Sequence, residues 1–263
     1  MIKKLTKISL RGGSKVAFKL FKKSVPKLDN YSLSHGVSLV TYDNPISTIS
    51  EQFNSIRTNI QFSSVDRNLR SILFTSSAPS EGKSTVSNNV AISWAKQDKR
   101  VLLIDADLRR PTIHRTFGVS NHLGLSNFLS GTVDLGTIVQ PTMVENLFVI
   151  TSGPTAPNPS ELLGSQRINQ LFATLSEEFD CLIFDAPPIN SVTDAQVLAA
   201  KVDGVVLVVP YKIANKVGVA KAKRSLETVH AHILGVIMNR MTKDKLEGYY
   251  GGEYSGYYGV NPK

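Results

Sequence analysis

Three short stretches carry residue types that could handle phosphate and a divalent cation. The first is Ser77 to Thr85, SAPSEGKST, which follows the apolar run Ser71-Ile72-Leu73-Phe74-Thr75. A strand feeding a flexible turn and then a helix aims successive backbone N–H groups, and the positive helix end, at one point where an anion can sit. Gly82 lets the backbone approach closely, Lys83 supplies charge for the outer phosphates of a nucleotide, and Ser84 offers a hydroxyl to magnesium. Ser77 stands where the usual pattern has glycine, so it must accept whatever backbone angles the loop demands.

The second stretch is Val101 to Pro111, VLLIDADLRRP. Two aspartates one residue apart, where a chain leaves a sheet, can both face phosphates and their metal. Magnesium takes few protein ligands and keeps several waters, so one of Asp105 and Asp107 can act through water while another carboxylate accepts a proton. Arg109 is placed to steady developing phosphate charge. The third stretch, Cys181 to Pro188 (CLIFDAPP), ends an apolar strand in Asp185. Such an aspartate is costly to bury without a cation or donors beside it, so it is expected to serve magnesium directly or through water.

These residues need a scaffold that brings strand ends together. Short runs, apolar on both faces and rich in β-branched residues, predict strands at Ser71–Ser76, Arg100–Asp105, Leu147–Thr151, Cys181–Asp185, Gly204–Val209 and Leu234–Asn239. Helices are expected over Ser84–Gln97, Gln166–Glu178, Ala195–Val202 and Ala214–His230. The alternation implies a mostly parallel sheet with helices on both faces, whose ligands bind at the carboxyl ends of the strands. Before it, Ser47–Phe62 reads as an added amphipathic helix. Ile49, Phe53, Ile56 and Ile60 are expected on one face, and Glu51, Asn54 and Arg57 on another.

Composition sets the outer bounds. The 263 residues are 41% hydrophobic, with no apolar run near the roughly 18 residues of a membrane span. A cytoplasmic location is expected, since the N-terminus lacks an apolar secretory core. The net charge of +9 is uneven: nine of thirty basic residues lie in residues 1–28, which hold no acid, leaving twenty-one Lys and Arg against twenty-one Asp and Glu. A neutral body argues against nucleic-acid binding, whereas the basic arm could lie on an anionic membrane surface or remain solvated. Cys181 is the only cysteine and reads as a buried small hydrophobe; His114, His122, His230 and His232 show no ligand spacing. Residues 247–263 form a tail in which Tyr249, Tyr250, Tyr254, Tyr257 and Tyr258 are spaced by glycine, a composition that cannot build a core and is expected to be disordered. The expected layout is an arm (1–28), a connecting segment and helix (29–70), a nucleotide domain (71–246) and this tail.

The trio SAPSEGKST, LLIDADLRRP and LIFDAPP, followed by a tyrosine tail, resembles the bacterial tyrosine kinases of capsule and exopolysaccharide assembly, of the cytoplasmic Gram-positive type. The resemblance runs from about Ser47 to the tail. It implies that the loop, Ser77, Ala78, Pro79, Ser80, Glu81, Gly82, Lys83, Ser84 and Thr85, binds ATP, and that Asn239 and Arg240 lie near the adenine. Lys83, Asp105, Asp107 and Asp185 would be catalytic, with Ser84, Asp105 and Asp185 serving Mg2+ and Asp107 accepting the tyrosyl proton. The tail tyrosines would be autophosphorylated. The family's subunit-joining Glu-x-x-Arg-x-x-Arg pattern is met by Glu51 and Arg57, with Asn54 at its middle position. The resemblance also implies a homo-oligomer of ring form, a membrane-anchored activator acting through its cytosolic tail, and a cognate tyrosine phosphatase. Partitioning and septum-site ATPases share the sheet and are the alternative, but the extra lysine of their phosphate loop is missing: Ala78 and Pro79 stand there.

Overall fold

The computed structural model describes residues 31–63 and 69–241. The basic arm and the tyrosine tail lie outside these residues. In chain order, α1 (Tyr31–His35), α2 (Val40–Asp43) and α3 (Thr48–Phe62) precede β1 (Ser71–Ser76) and α4 (Lys83–Ala95). There follow β2 (Val101–Asp105), α5 (Ile113–Phe117), α6 (Leu125–Leu129), α7 (Leu135–Ile138), β3 (Val139–Pro141) and β4 (Leu147–Ile150). Next come α8 (Pro159–Gly164), α9 (Gln166–Glu178), β5 (Cys181–Asp185), α10 (Asp194–Ala199), β6 (Gly204–Pro210), α11 (Lys216–Thr228) and β7 (Ile233–Asn239).

The seven strands form one sheet in the order β3-β4-β2-β5-β1-β6-β7, parallel except for β3. The six expected strands are present within a residue or so of their predicted ends. The seventh, β3, was not expected: three residues ending in proline show no alternation, and proline fits only at an edge such as this one.

Alternation within each strand divides the core in two. Leu73, Leu102, Ile104, Leu182, Phe184, Val205 and Leu207 face one side, against Leu125, Phe128, Leu171, Leu175, Leu198 and Leu226 from the later helices. Ile72, Phe74, Leu103, Val149, Ile183, Val206 and Val208 face the other, against Val86, Val90, Trp94, Phe53 and Ile113. Phe74 and Phe184 are among the largest fully buried side chains, each contributing about 1.5–3 kcal/mol of transfer free energy.

Helix α4 lies between the sheet and α3, and is buried at every residue from Val86 to Ala95. Of its buried polar residues, Asn89 is the most fully paired. Asn89 accepts from the Thr41 N–H and hydroxyl, both at 2.9 Å, and donates to Ser38 O and Thr85 O. That pairing straps the segment before α3 onto the helix that follows the phosphate loop.

The face assignment of α3 is corrected by the structure. Ser50, Phe53, Arg57 and Ile60 are its buried residues, while Ile49 is 52% exposed. Positions 50, 53, 57 and 60 make a continuous stripe at the helical period, which takes in Arg57 and leaves Ile49 outside. Arg57 Nη1 donates to Ser93 O at 2.9 Å and Ser93 Oγ at 3.1 Å, and Ser93 Oγ donates to Asn54 Oδ1 at 2.7 Å. Within the protomer, then, the guanidinium holds α4 and is not presented on the outer face, whereas Glu51 is exposed.

Candidate active site

Register brings the chemistry together. Asp105 and Asp185 are direct partners across β2 and β5, and Phe74 of β1 pairs with Asp185 on its other side. The phosphate loop leaves β1 two residues later. The loop is then braced from outside: Asn190 Nδ2 donates to Ser77 O at 3.0 Å, Asn239 Nδ2 to Glu81 O at 3.1 Å, and Arg240 Nη2 to Ser80 O at 2.8 Å. With these carbonyls engaged outward, the first-turn N–H groups of α4, which have no partner within the helix, are left for an anion.

Glycine is required at Gly82, not at Ser77. Gly82 has φ 94°, and a Cβ there would meet Asn239 Nδ2 at 2.1 Å. The other left-handed position in the loop is Ser80, with φ 61°. Ser77 is not among the residues with positive φ, so the concern over its backbone does not arise.

Lys83 reaches across the loop mouth to Asp107 Oδ2 at 3.0 Å and Asp185 Oδ1 at 3.5 Å. Burial opposes the ammonium, but Asp185 and Asp107 outweigh it and hold its pKa above the usual lysine value. Asp105, fully buried, accepts from the Thr112 and Ile113 N–H groups at 3.0 Å each through Oδ2. Burial first, and then the charge of Asp185, push its pKa up to about 8. Asp185 is also raised, chiefly by burial, against the opposing pull of Lys83 and a hydrogen bond with Ser84.

Two buried oxygens in this cluster, Asp105 Oδ1 and Asp185 Oδ2, have no hydrogen-bond partner among the described residues. A native fold rarely leaves carboxylate oxygens so, and a cation or bound water is the ordinary resolution. Among the described residues no group of three or more His, Cys, Asp or Glu forms a cage that would hold a metal by itself. An ion here would rest on few protein oxygens together with phosphate, which suits magnesium. Ser84, Asp105 and Asp185 therefore fit a magnesium ion.

The structure does not bring Arg109 into this cluster. Its Nε donates to Asp194 Oδ2 at 2.9 Å and its Nη2 to Oδ1 at 3.3 Å, and the Ser160 hydroxyl also donates to Asp194. Asp194 is fully buried at the start of α10, so the guanidinium answers an interior charge that would otherwise be unpaired. Arg109 thus fixes the chain just after Asp107 to α10, in place of the expected phosphate contact. Asn190 and Asp194 were not singled out from the sequence. Asp194 follows Thr193 ahead of an apolar run, a helix-start signal, but nothing local shows that its carboxylate meets Arg109.

A strand-loop-helix phosphate site on a mostly parallel sheet, with strand-end aspartates, defines a P-loop nucleoside triphosphatase fold of the ParA type. The family model for ParA, described as a NUBPL iron-transfer P-loop NTPase, matches residues 69–245. The tyrosine-protein kinase YwqD of Bacillus subtilis is 44% identical over 81% of this chain and 91% of its own. The putative tyrosine-protein kinase CapB of Staphylococcus aureus is 43% identical over 81% and 93%. The crystal structure of the chimerical protein CapA2B2 superposes with a TM-score of 0.75 at 41% identity, covering 78% of this chain and 90% of that one. The chain belongs to the bacterial tyrosine-protein kinases. Among the described residues, no helix is long and apolar enough to cross a membrane.

Proposed function

We propose that the protein is a Mg2+- and ATP-dependent tyrosine autokinase. In this reading it phosphorylates Tyr249, Tyr250, Tyr254, Tyr257 and Tyr258 between subunits and regulates capsule or exopolysaccharide polymerisation and export. The observation that carries it is the Lys83 ammonium, held between Asp107 and Asp185 beside two unpartnered carboxylate oxygens. Lys83 moves to the nucleotide's outer phosphates, and the amides of the α4 N-terminus orient them. Asp105 and Asp185, with Ser84, would hold magnesium, which when bound would supply charge neutralisation at the phosphates. Release of Asp107 by Lys83 frees that carboxylate to accept the tyrosyl proton. Asn239 and Arg240, at the end of β7, brace the loop and lie at the edge where the base would rest.

Full activity is assigned to a homo-oligomer, with Glu51 on its outer helix face, and to a membrane-anchored activator whose cytosolic tail completes the nucleotide site and recruits the kinase to the inner membrane face. Residues 1–28 add membrane affinity, and a cognate phosphatase reverses the modification. Each added phosphate brings about −1.5 to −2 of charge, which drives the assembly apart. The test is mass spectrometry after incubation with magnesium and ATP, with and without the activator's tail, beside Lys83→Met. Phosphate on the tail tyrosines that disappears in Lys83→Met is expected. ATP hydrolysis with bare tyrosines in every arm would overturn the kinase in favour of a positioning ATPase.

A further inference from the structure

Glu81 is a carboxylate inside a loop that receives phosphates, and its charge is directed at the loop itself. Its oxygens accept from the Ser77 N–H at 2.8 Å, the Ala78 N–H at 3.0 Å, and the Ser77 hydroxyl at 2.9 and 3.0 Å. The residue is 6% exposed. We propose that Glu81 is a positioning residue: with Ser77 it forms a staple across the first turn of the phosphate loop, in place of the glycine that usually begins it, and pre-forms the amide cradle for a nucleotide diphosphate. The inference rests on the nucleotide reading above and adds to it a residue that acts through the loop's shape.

The staple spans residues 77 to 81 and so encloses Ser80, whose left-handed backbone a serine adopts only under constraint. The Glu81 carboxylate closes the loop from inside, while Asn190, Asn239 and Arg240 hold its carbonyls from outside. The amides it occupies, Ser77 and Ala78, are those farthest from the helix start, so the first-turn amides of α4 stay available. Electrostatics alone gives the same charge an opposite consequence, since a carboxylate beside a polyphosphate repels it. The two consequences differ in sign, which makes them separable.

Binding of a fluorescent ADP with magnesium is measured on the full chain, Glu81→Gln, Glu81→Ala, Ser77→Ala and the Ser77→Ala/Glu81→Ala pair. The staple predicts about tenfold weaker ADP binding in Glu81→Ala, as expected for lost charge-assisted hydrogen bonds. Glu81→Gln, which keeps one accepting oxygen, weakens less, and the double variant binds no worse than Glu81→Ala alone. In phosphotransfer the loss is carried by KM for ATP more than by kcat, as for an interaction that shapes ground-state binding. Equal or tighter ADP binding by Glu81→Gln overturns the staple in favour of repulsion, and additive effects of the two alanine changes overturn the pairing. Should Glu81→Ala lose its fold, Glu81→Gln and Ser77→Ala decide the matter. A wild-type chain that binds no ADP removes the nucleotide reading and the staple with it.

Discussion

Aspartates stand at both ends of the sheet with opposite consequences. At the strand beginnings, Asp203 accepts from the Arg70 N–H at 3.0 Å, and from the Ser71 N–H and hydroxyl at 2.8 Å each. Asp180 likewise accepts from the Arg100 N–H at 2.9 Å and sits 3.7 Å from Lys99 Nζ. Both are exposed, and both tie the first residues of neighbouring strands together. At the strand ends, Asp105 and Asp185 are wholly buried and each keeps an oxygen that nothing among the described residues satisfies. The same residue type closes the sheet where donors and water meet its needs and leaves chemistry unfinished where they do not. The distinguishing mark is the unmet hydrogen-bonding capacity, not the charge.

Lys83→Met gives the largest expected effect on this contrast. It removes the cation held between Asp107 and Asp185, and phosphorylation of the tail should fall by about 10²–10³ or more, measured as initial rates of phosphotyrosine formation. A residual rate within about tenfold of wild type would show that the cluster is not the reacting centre.

Asp105→Asn comes next and separates function from stability. The folded state holds the Asp105 proton up to about pH 8, whereas an unfolded aspartate releases it near pH 4. Between those values the folded chain binds more protons, so the stability that this group allows is complete below about pH 4 and is lost as pH rises toward 8. In chelator-containing buffer, Asp105→Asn should therefore melt higher than wild type at pH 8 and show a flatter pH dependence, while kinase activity is lost. Parallel melting curves across pH for the two proteins would contradict the assignment.

At the other end of the sheet, Asp203→Ala should cost about 1–2 kcal/mol, discounted for its exposure from the range for hydrogen bonds to charged groups. That corresponds to a melting point lower by several degrees, with phosphorylation per folded molecule unchanged. A loss of turnover larger than the loss of folded protein would erase the difference between the two ends. Smallest of all, Ser93→Ala removes the hydroxyl shared by Asn54 and Arg57 and should cost about 0.5–1.5 kcal/mol in chemical denaturation, leaving nucleotide affinity unaltered.

Much of the site was legible in the sequence because its parts are local. The loop composition, the apolar strands and their terminal aspartates are each encoded within a dozen residues. Readings that depended on helix phase or on a distant partner fared worse. Arg57 shares the spacing of Glu51 and Asn54, but the buried stripe of α3 falls one step round from the one the isoleucines suggested. Arg109 sits two residues after Asp107, yet its partner Asp194 lies 85 residues away.

By itself, then, the sequence determined that a phosphate loop follows one strand and that aspartates end two others, since period, apolarity and small residues act over a few neighbours. Only the tertiary structure decided that Asp105 and Asp185 lie side by side, that Lys83 stands between Asp107 and Asp185, and that Glu81 turns back on Ser77. Strand order sets the first two, because β5 enters between β1 and β2 after a long crossover. The third goes with the loop's closure against Asn190, in the turn beyond β5, and against Asn239 and Arg240, at and just after the end of β7.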